Sequence, residues 1–315
     1  PGIIAGTFDI AAPSISDATL LAIKDANSNK DLVGDTLTTY LVDYRGYGYI
    51  GINANLVNVG GDPASDASKN LRKGIMTVLS VYRETVINSY YGDRASVIQY
   101  PISNTSWAAP QPTDVGYQIA YSRDVNGNSI YDASMNDEQK YEAALQAAVG
   151  FFQAAGYTWD GSKFTAAPEG AKMVYEFLVP GSGEQDHPAY GIAVGASEAL
   201  EKIGITLMVN DCTSTTWNNA LEANTAELWC AAWQSTVDPD MYQVYHSTNA
   251  DGKGTNSNHY QVKDADLDAL IIAGRGSSDT DFRKATYKSA MEIIMDWGVE
   301  LPTYQRKDCY VTSSK

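Results

Sequence analysis

The stretch AKMVYEFLVPGSGEQDHPAYGIAVGASEALEKIGITLMVND, Ala171 to Asp211, decides the fold class. Its first ten residues, ending at Pro180, alternate in polarity with the period of a strand. The middle carries Tyr190, Val194, Leu200 and Ile203 at helical spacing, and Gly204 follows as a stop, because glycine accepts a left-handed backbone cheaply. ITLMV is then apolar throughout, as a strand buried on both faces is. Strand, helix and strand within about forty residues make a βαβ unit, so the two strands are expected to run parallel.

Working outward, a short helix is expected near Trp217–Asn224 and a further strand at ELWCAAW, Glu227 to Trp233. Two helices follow, near Asp264–Ala273 and Thr280–Trp297. The second places Phe282, Thr286, Ala290, Ile293 and Trp297 inward. VELPTYQ reads as a last strand. Upstream, GYIGINANLV (Gly48–Val57) reads as a strand entering a Gly/Pro/Asp loop, and one helix is expected from Ser65 to Asn88, with Leu71, Ile75, Leu79, Tyr82 and Val86 facing the core. Another starts at Asn136, which caps it with Gln139 in the reciprocal position. It carries Tyr141, Leu145, Ala148 and Phe152 on one face and stops at Gly156. Between Tyr91 and Asn136 the chain is rich in Gly, Pro, Asn, Ser and Tyr and shows little periodicity, the mark of an irregular excursion or insertion. The expectation is a single α/β lobe over residues 1–315, with a mixed, mostly parallel sheet flanked by helices.

The 22 basic and 38 acidic residues leave a net charge of −16. Such a surface repels phosphate backbones, which argues against nucleic acid as a partner, and otherwise serves solubility. No apolar run reaches the ~20 residues of a membrane span. The chain opens on Pro1 rather than Met, so an export signal or lipid anchor is expected to precede it. Cys212, Cys230 and Cys309 are far apart with no CxxC spacing, and one disulfide among them has three possible pairings.

Motifs for catalysis, cofactors or metals are not found: there is no GxSxG, HExxH, GxxxxGK[ST] or glycine-rich dinucleotide turn. His187, His246 and His259 lack partners at metal-ligand spacing, and His187 reads as a solvated loop residue. No catalytic residue, cofactor or metal is assigned. The aromatic balance is more informative, with 21 Tyr and 6 Trp against 6 Phe. Tyr and Trp join a flat apolar face to a polar handle, as suits a surface that grips varied ligands, although ordinary packing uses them too. YLVDYRGYGY, Tyr40 to Tyr49, is the densest cluster. At the exit of the strand ending at Trp233 the chain breaks at Asp238–Pro239. An acidic residue there stands where α/β sheets bind ligands and can hold an ammonium group; the same residue can simply cap a helix starting at Asp240.

Several stretches together resemble the peptide-binding proteins of ABC importers, the dipeptide/oligopeptide cluster of solute-binding proteins. IIAGTFDIA (Ile3–Ala11) is similar to that family's strand before a Gly-x-x-Asp-x-Ala turn. YIGINAN, followed by Ala67–Ile75 with Arg72, is similar to its asparagine-ended strand and the helix behind it. EALEKIGITLMV, AAWQSTVDPDMYQVYHS and RKATYKSAMEIIMDWGVELPTYQR resemble its helix-to-strand step, its Trp-to-Asp-Pro cleft segment and its closing helix and strand. The resemblance implies a periplasmic-binding-protein-like lobe, the second of two around a cleft, with the first lobe of the same protein absent from this chain. It implies capture of peptides without chemistry and delivery to the membrane subunits of an ABC permease. The location implied is extracytoplasmic, at the cell surface as a lipoprotein or in the periplasm. Asp238 is the implied ammonium holder and Trp233 the pocket wall; Asn53, Tyr242 and His246 are further candidate ligand contacts. The chain departs from the family in having no acidic residue from Gln234 to Val237. An oligosaccharide or a nickel chelate is the alternative ligand, and a secreted hydrolase the alternative of another class.

Overall fold

The computed structural model describes residues 1–13, 15 and 17–314. In chain order the elements are β1 (Ile10–Ala11), α1 (Asp17–Ala26), β2 (Leu37–Asp43), β3 (Gly46–Ile52), α2 (Asp66–Val81), α3 (Arg83–Tyr91) and β4 (Ala95–Ser96). There follow α4 (Asp137–Ala154), β5 (Thr158–Trp159), β6 (Phe164–Ala166), β7 (Val174–Val179), α5 (Tyr190–Lys202), β8 (Thr206–Asp211), α6 (Ser214–Glu222) and β9 (Leu228–Gln234). The chain closes with α7 (Tyr242–Tyr245), α8 (Ala265–Gly276), α9 (Thr280–Trp297) and β10 (Glu300–Ser313).

The main sheet runs β1-β10-β3-β9-β7-β8, with β2 and β4 also on β10. It is mixed, but not mostly parallel as the sequence suggests. Only β7 pairs in parallel, with β8 and with β9. A parallel pair needs a helical crossover to carry the chain back, and α5 and α6 supply these for β7, β8 and β9 alone. β3 runs antiparallel to β9, and β10 antiparallel to β3. β10 enters straight from α9 through Gly298, whose φ of 67° is cheap for glycine.

β10 is also twice the length expected of the last strand. Its first half pairs with β3, from Glu300↔Gly51 to Tyr304↔Gly48, and its second with β2, from Lys307↔Asp43 to Ser313↔Leu37. β2 and β3, bent at Tyr44–Arg45, thus form one long line opposite β10, and this ribbon extends beyond the sheet. One face of it is anchored by Ile23, Leu37, Cys309 and Val311. The other exposes Tyr40, Val42 and Tyr310.

Two cores lie on the sheet's two faces. Leu71, Ile75 and Leu79 of α2 pack with Phe152 of α4, Ile192 and Leu200 of α5, and Ile50 and Phe177 of the sheet. On the other face Trp229 and Tyr49 meet Ile271 of α8 and Ala290, Ile294 and Trp297 of α9. Phe282 is exposed, since it stands in the first turn of α9 ahead of that core. The expected helix over 65–88 divides at Tyr82, which stacks on Tyr141 at 4.6 Å. The new direction sends the Arg83 guanidinium inward to the carbonyls of Ile98 and Pro302. Arg72 is likewise buried, donating to the carbonyls of Trp297 (2.7 Å), Val57 (2.9 Å) and Pro63 (2.8 Å). It thereby ties α2 to the end of α9 and to the loop after β3, and burial pushes its guanidinium down to about 9.

The Asn136 capping box with Gln139 forms as the spacing requires. Ile3–Asp9, by contrast, folds as turns, leaving only the two residues of β1 in a strand. From Val97 to Met135 the described residues form no helix or strand beyond a single bridge between Arg123 and Ser129. All three cysteines are buried and free. Among the described residues no helix is long and apolar enough to cross a membrane.

Candidate functional site: the carboxyl edge of the sheet

β7 and β8 end together at Val179 and Asp211, and β9, whose Trp229 is level with Leu178, runs on past them to Gln234. β3, antiparallel to β9, begins beside that extension: Gly46 faces Gln234 and Tyr47 faces Trp233. β10 crosses the same edge at Tyr304–Arg306 before continuing as the ribbon. Parallel strand ends of this kind are where α/β sheets collect ligands, since backbone groups and loop side chains converge there.

The pleat sorts the side chains at this edge. On one face, Gly46, Gly48 and Ala232 form the floor of a hollow of 290 Å³, lined also by Tyr44, Tyr91, Gln234, Tyr304 and Arg306 and bordered by Tyr47 and Trp233. The two glycines are required by close approach. A Cβ on Gly48 would run into the Tyr304 ring, and one on Gly46 into the Trp233 carbonyl and the Tyr44 ring. Tyr91 and Tyr304 lie with ring centroids 5.3 Å apart, and the Arg306 guanidinium sits 4.7 Å over Tyr44. Burial pushes both the Tyr91 and Tyr304 hydroxyls up, so they stay protonated donors. Two larger hollows, of 520 and 920 Å³, lie on the helical side around α2, α3 and the 97–135 segment, away from the strand ends.

On the other face the tyrosines of β3 meet a buried carboxyl group. Glu300 accepts from Tyr245 Oη at 2.7 Å and Tyr47 Oη at 3.1 Å, and the two hydroxyls are 3.2 Å apart. Burial pushes the Glu300 carboxyl up to about 7, against the pull of these donors. Tyr260 stacks on Tyr245 at 5.5 Å, and Tyr49 stacks on Trp233 at 5.8 Å with an 8° interplanar angle.

The residues anticipated from sequence are not brought together at one point. Trp233 stands at the carboxyl edge, its ring on Tyr49 and its Nε1 buried without a hydrogen-bond partner among the described residues. Asp238 lies just beyond, but its carboxylate already has a partner: Arg283 Nη2 donates to both oxygens, at 2.8 and 2.9 Å. Asp238 does not cap a helix at Asp240 either, since α7 starts at Tyr242, whose amide Asp240 accepts at 3.0 Å. Asn53 follows the other end of β3, seven residues from Gly46, or roughly 23 Å at 3.3 Å per residue. It is buried, giving its amide to Asn224 O and accepting from Asn55 N. The Tyr242 and His246 rings lie 4.3 Å apart at a 33° tilt beside α8, where Arg275 covers the Tyr242 ring and His246 Nδ1 lies 2.9 Å from Thr248 Oγ1.

Sequence reasoning passed over Arg306, Tyr304 and Tyr91. Nothing local marks them, because they converge only when β10 crosses the start of β3. His187, expected to be solvated, is partly buried, with Nδ1 3.6 Å from Cys230 Sγ, and burial lowers its pKa.

The family model for bacterial extracellular solute-binding proteins, family 5 middle, matches residues 3–255. The chain belongs to this family. It is 22% identical over 177 residues to the probable peptide-binding protein YejA of Agrobacterium fabrum, an alignment spanning 56% of this chain and 28% of that protein. The fold is that of the oligopeptide-binding protein AppA from Bacillus subtilis, solved with a nonapeptide (TM-score 0.67, 18% identity, 99% of this chain and 53% of that one). NikZ from Campylobacter jejuni, solved with Ni(L-His), is similarly alike (TM-score 0.66, 16% identity, 99% and 53%). The chain spans about half the length of these two solved structures, and its alignment covers 28% of the YejA protein.

Proposed function

We propose that this chain is the second lobe of an extracytoplasmic binding protein that captures peptides and delivers them to the permease of an ABC importer, without covalent chemistry of its own. The observation that carries the reading is the carboxyl edge of the sheet. There an aromatic-walled, glycine-floored hollow opens where the β2–β3/β10 ribbon leaves the lobe. A peptide lying across that edge meets flat tyrosine faces and main-chain groups, which grip varied side chains with little demand on sequence. The ribbon's exposed Tyr40, Val42 and Tyr310 suit it to meet the first lobe. Family 5 membership and a relative named for peptide binding support the same reading.

Capture follows from differential affinity: a ligand touching both lobes favours the closed form over the open one. An anchor at the cell surface or a periplasmic location both fit an extracellular family. Calorimetry of the full-length protein with a pool of two- to five-residue peptides tests the proposal. Saturable binding that is lost on Trp233→Ala supports it; binding of oligosaccharides or Ni(L-His) in place of peptides would overturn it.

A further inference from the structure

We propose that the hollow walled by Tyr44, Tyr91 and Tyr304 receives a carboxylate group of the captured ligand, held by Arg306. The proposal deepens the peptide reading and rests on it only for the identity of the ligand. Among the described residues Arg306 is the sole charged side chain lining the hollow. Its guanidinium forms no ion pair among the described residues, whereas Lys69, Lys73, Lys172, Lys263, Arg275 and Arg283 all do. In a chain of net charge −16, this exposed and unpaired arginine places a positive charge at the rim of a concave site.

The guanidinium is also oriented. Stacking on Tyr44 at 4.7 Å fixes its plane and leaves its N–H fork free to meet two oxygens at once. Gln305 Nε2 donates to Tyr44 O at 3.0 Å and Tyr44 N to Arg306 O at 2.8 Å, so the stacked pair is tied at both ends. Beside it the Tyr91 and Tyr304 hydroxyls stay protonated and engage each other, which leaves the pair one O–H to donate. Among the described residues no carboxylate lines the hollow, and Asp238 is paired with Arg283. Donors without an acidic counterpart favour an anionic group over the ammonium end of a peptide.

The carboxylate has two possible sources, a peptide's C-terminus or an acidic side chain, and the test separates them. The full-length protein is titrated by calorimetry with acetyl-Ala-Ala-Ala, its C-terminal amide, and acetyl-Ala-Glu-Ala amide. We expect the free carboxylate to bind at least tenfold more tightly than the tri-alanine amide, and that ratio to fall below twofold in Arg306→Gln. Arg306→Lys retains part of the preference, which a folding defect would not. Recovery of affinity by the glutamyl amide assigns the side chain as the source. Equal binding of acid and amide by the wild type, or the same ratio in Arg306→Gln, overturns the proposal. If no peptide binds, the peptide reading fails, and the hollow is probed by NMR with hippurate against hippuramide. Shifts at Gly46, Gly48 and Tyr304 with hippurate alone, lost in Arg306→Gln, uphold the carboxylate site; their absence refutes it.

Discussion

Glu300 makes the stability of this lobe depend on pH in a direction opposite to that of an ordinary ion-paired carboxylate. It is fully buried at the start of β10, with Tyr245 and Tyr47 as donors, and burial raises its carboxyl from 4.5 to about 7. Below pH 4.5 the group is protonated in both folded and unfolded chains and costs nothing. Between about 4.5 and 7 the folded chain holds the proton that the unfolded chain has released, so stability falls as pH rises, and above about 7 the loss is complete. The gap of about two and a half pH units, at roughly 1.4 kcal/mol each, comes to about 3 to 4 kcal/mol in full, of which about 3 kcal/mol falls between pH 4.5 and 8. Urea denaturation of wild type and Glu300→Gln at half-unit steps from pH 4.5 to 8 isolates this contribution, because every other titrating group is common to both. The difference in unfolding free energy between the two proteins should drift by about 3 kcal/mol across that range, in favour of Glu300→Gln at high pH. Parallel curves would mean that Glu300 ionises normally and that the tyrosine cage compensates fully for burial.

Other consequences follow from the same packing. Arg72→Met leaves the carbonyls of Trp297, Val57 and Pro63 buried without their donor, and chemical denaturation should record a loss of about 3 kcal/mol or more. Tyr245→Phe removes the 2.7 Å donor to Glu300, costs about 2 kcal/mol at pH 8 where the carboxylate is charged, and costs less at pH 5. Gly48→Val drives a branched side chain into the Tyr304 ring, and the ligand affinity of the full-length protein should drop at least tenfold while its circular dichroism stays native.

The local grammar of the fold was legible in the chain. The 171–211 stretch gives parallel β7 and β8 around α5 because polarity period and the glycine stop agree, and the Asn136 cap forms because its amides have no other partner. What sequence could not express is pairing between distant segments. The antiparallel character of the sheet is settled by where β10 docks, and its length by a second partner, β2, some 270 residues away. The same gap explains the site. Trp233 is readable as a candidate because it ends a strand, whereas Arg306 and Tyr304 reach the hollow only once β10 pairs beside β3. Asn53 follows the end of β3 opposite the hollow. For Asp238 the pattern hid a partner, since Arg283 reaches it from a helix 45 residues on.

The most direct test of the central claim is a calorimetric titration of the full-length protein with short peptides, run beside matched oligosaccharides and Ni(L-His). The account predicts saturable peptide binding that Trp233→Ala and Gly48→Val both weaken. Binding of sugar or chelate with no response to peptide, or peptide binding untouched by either substitution, would contradict it.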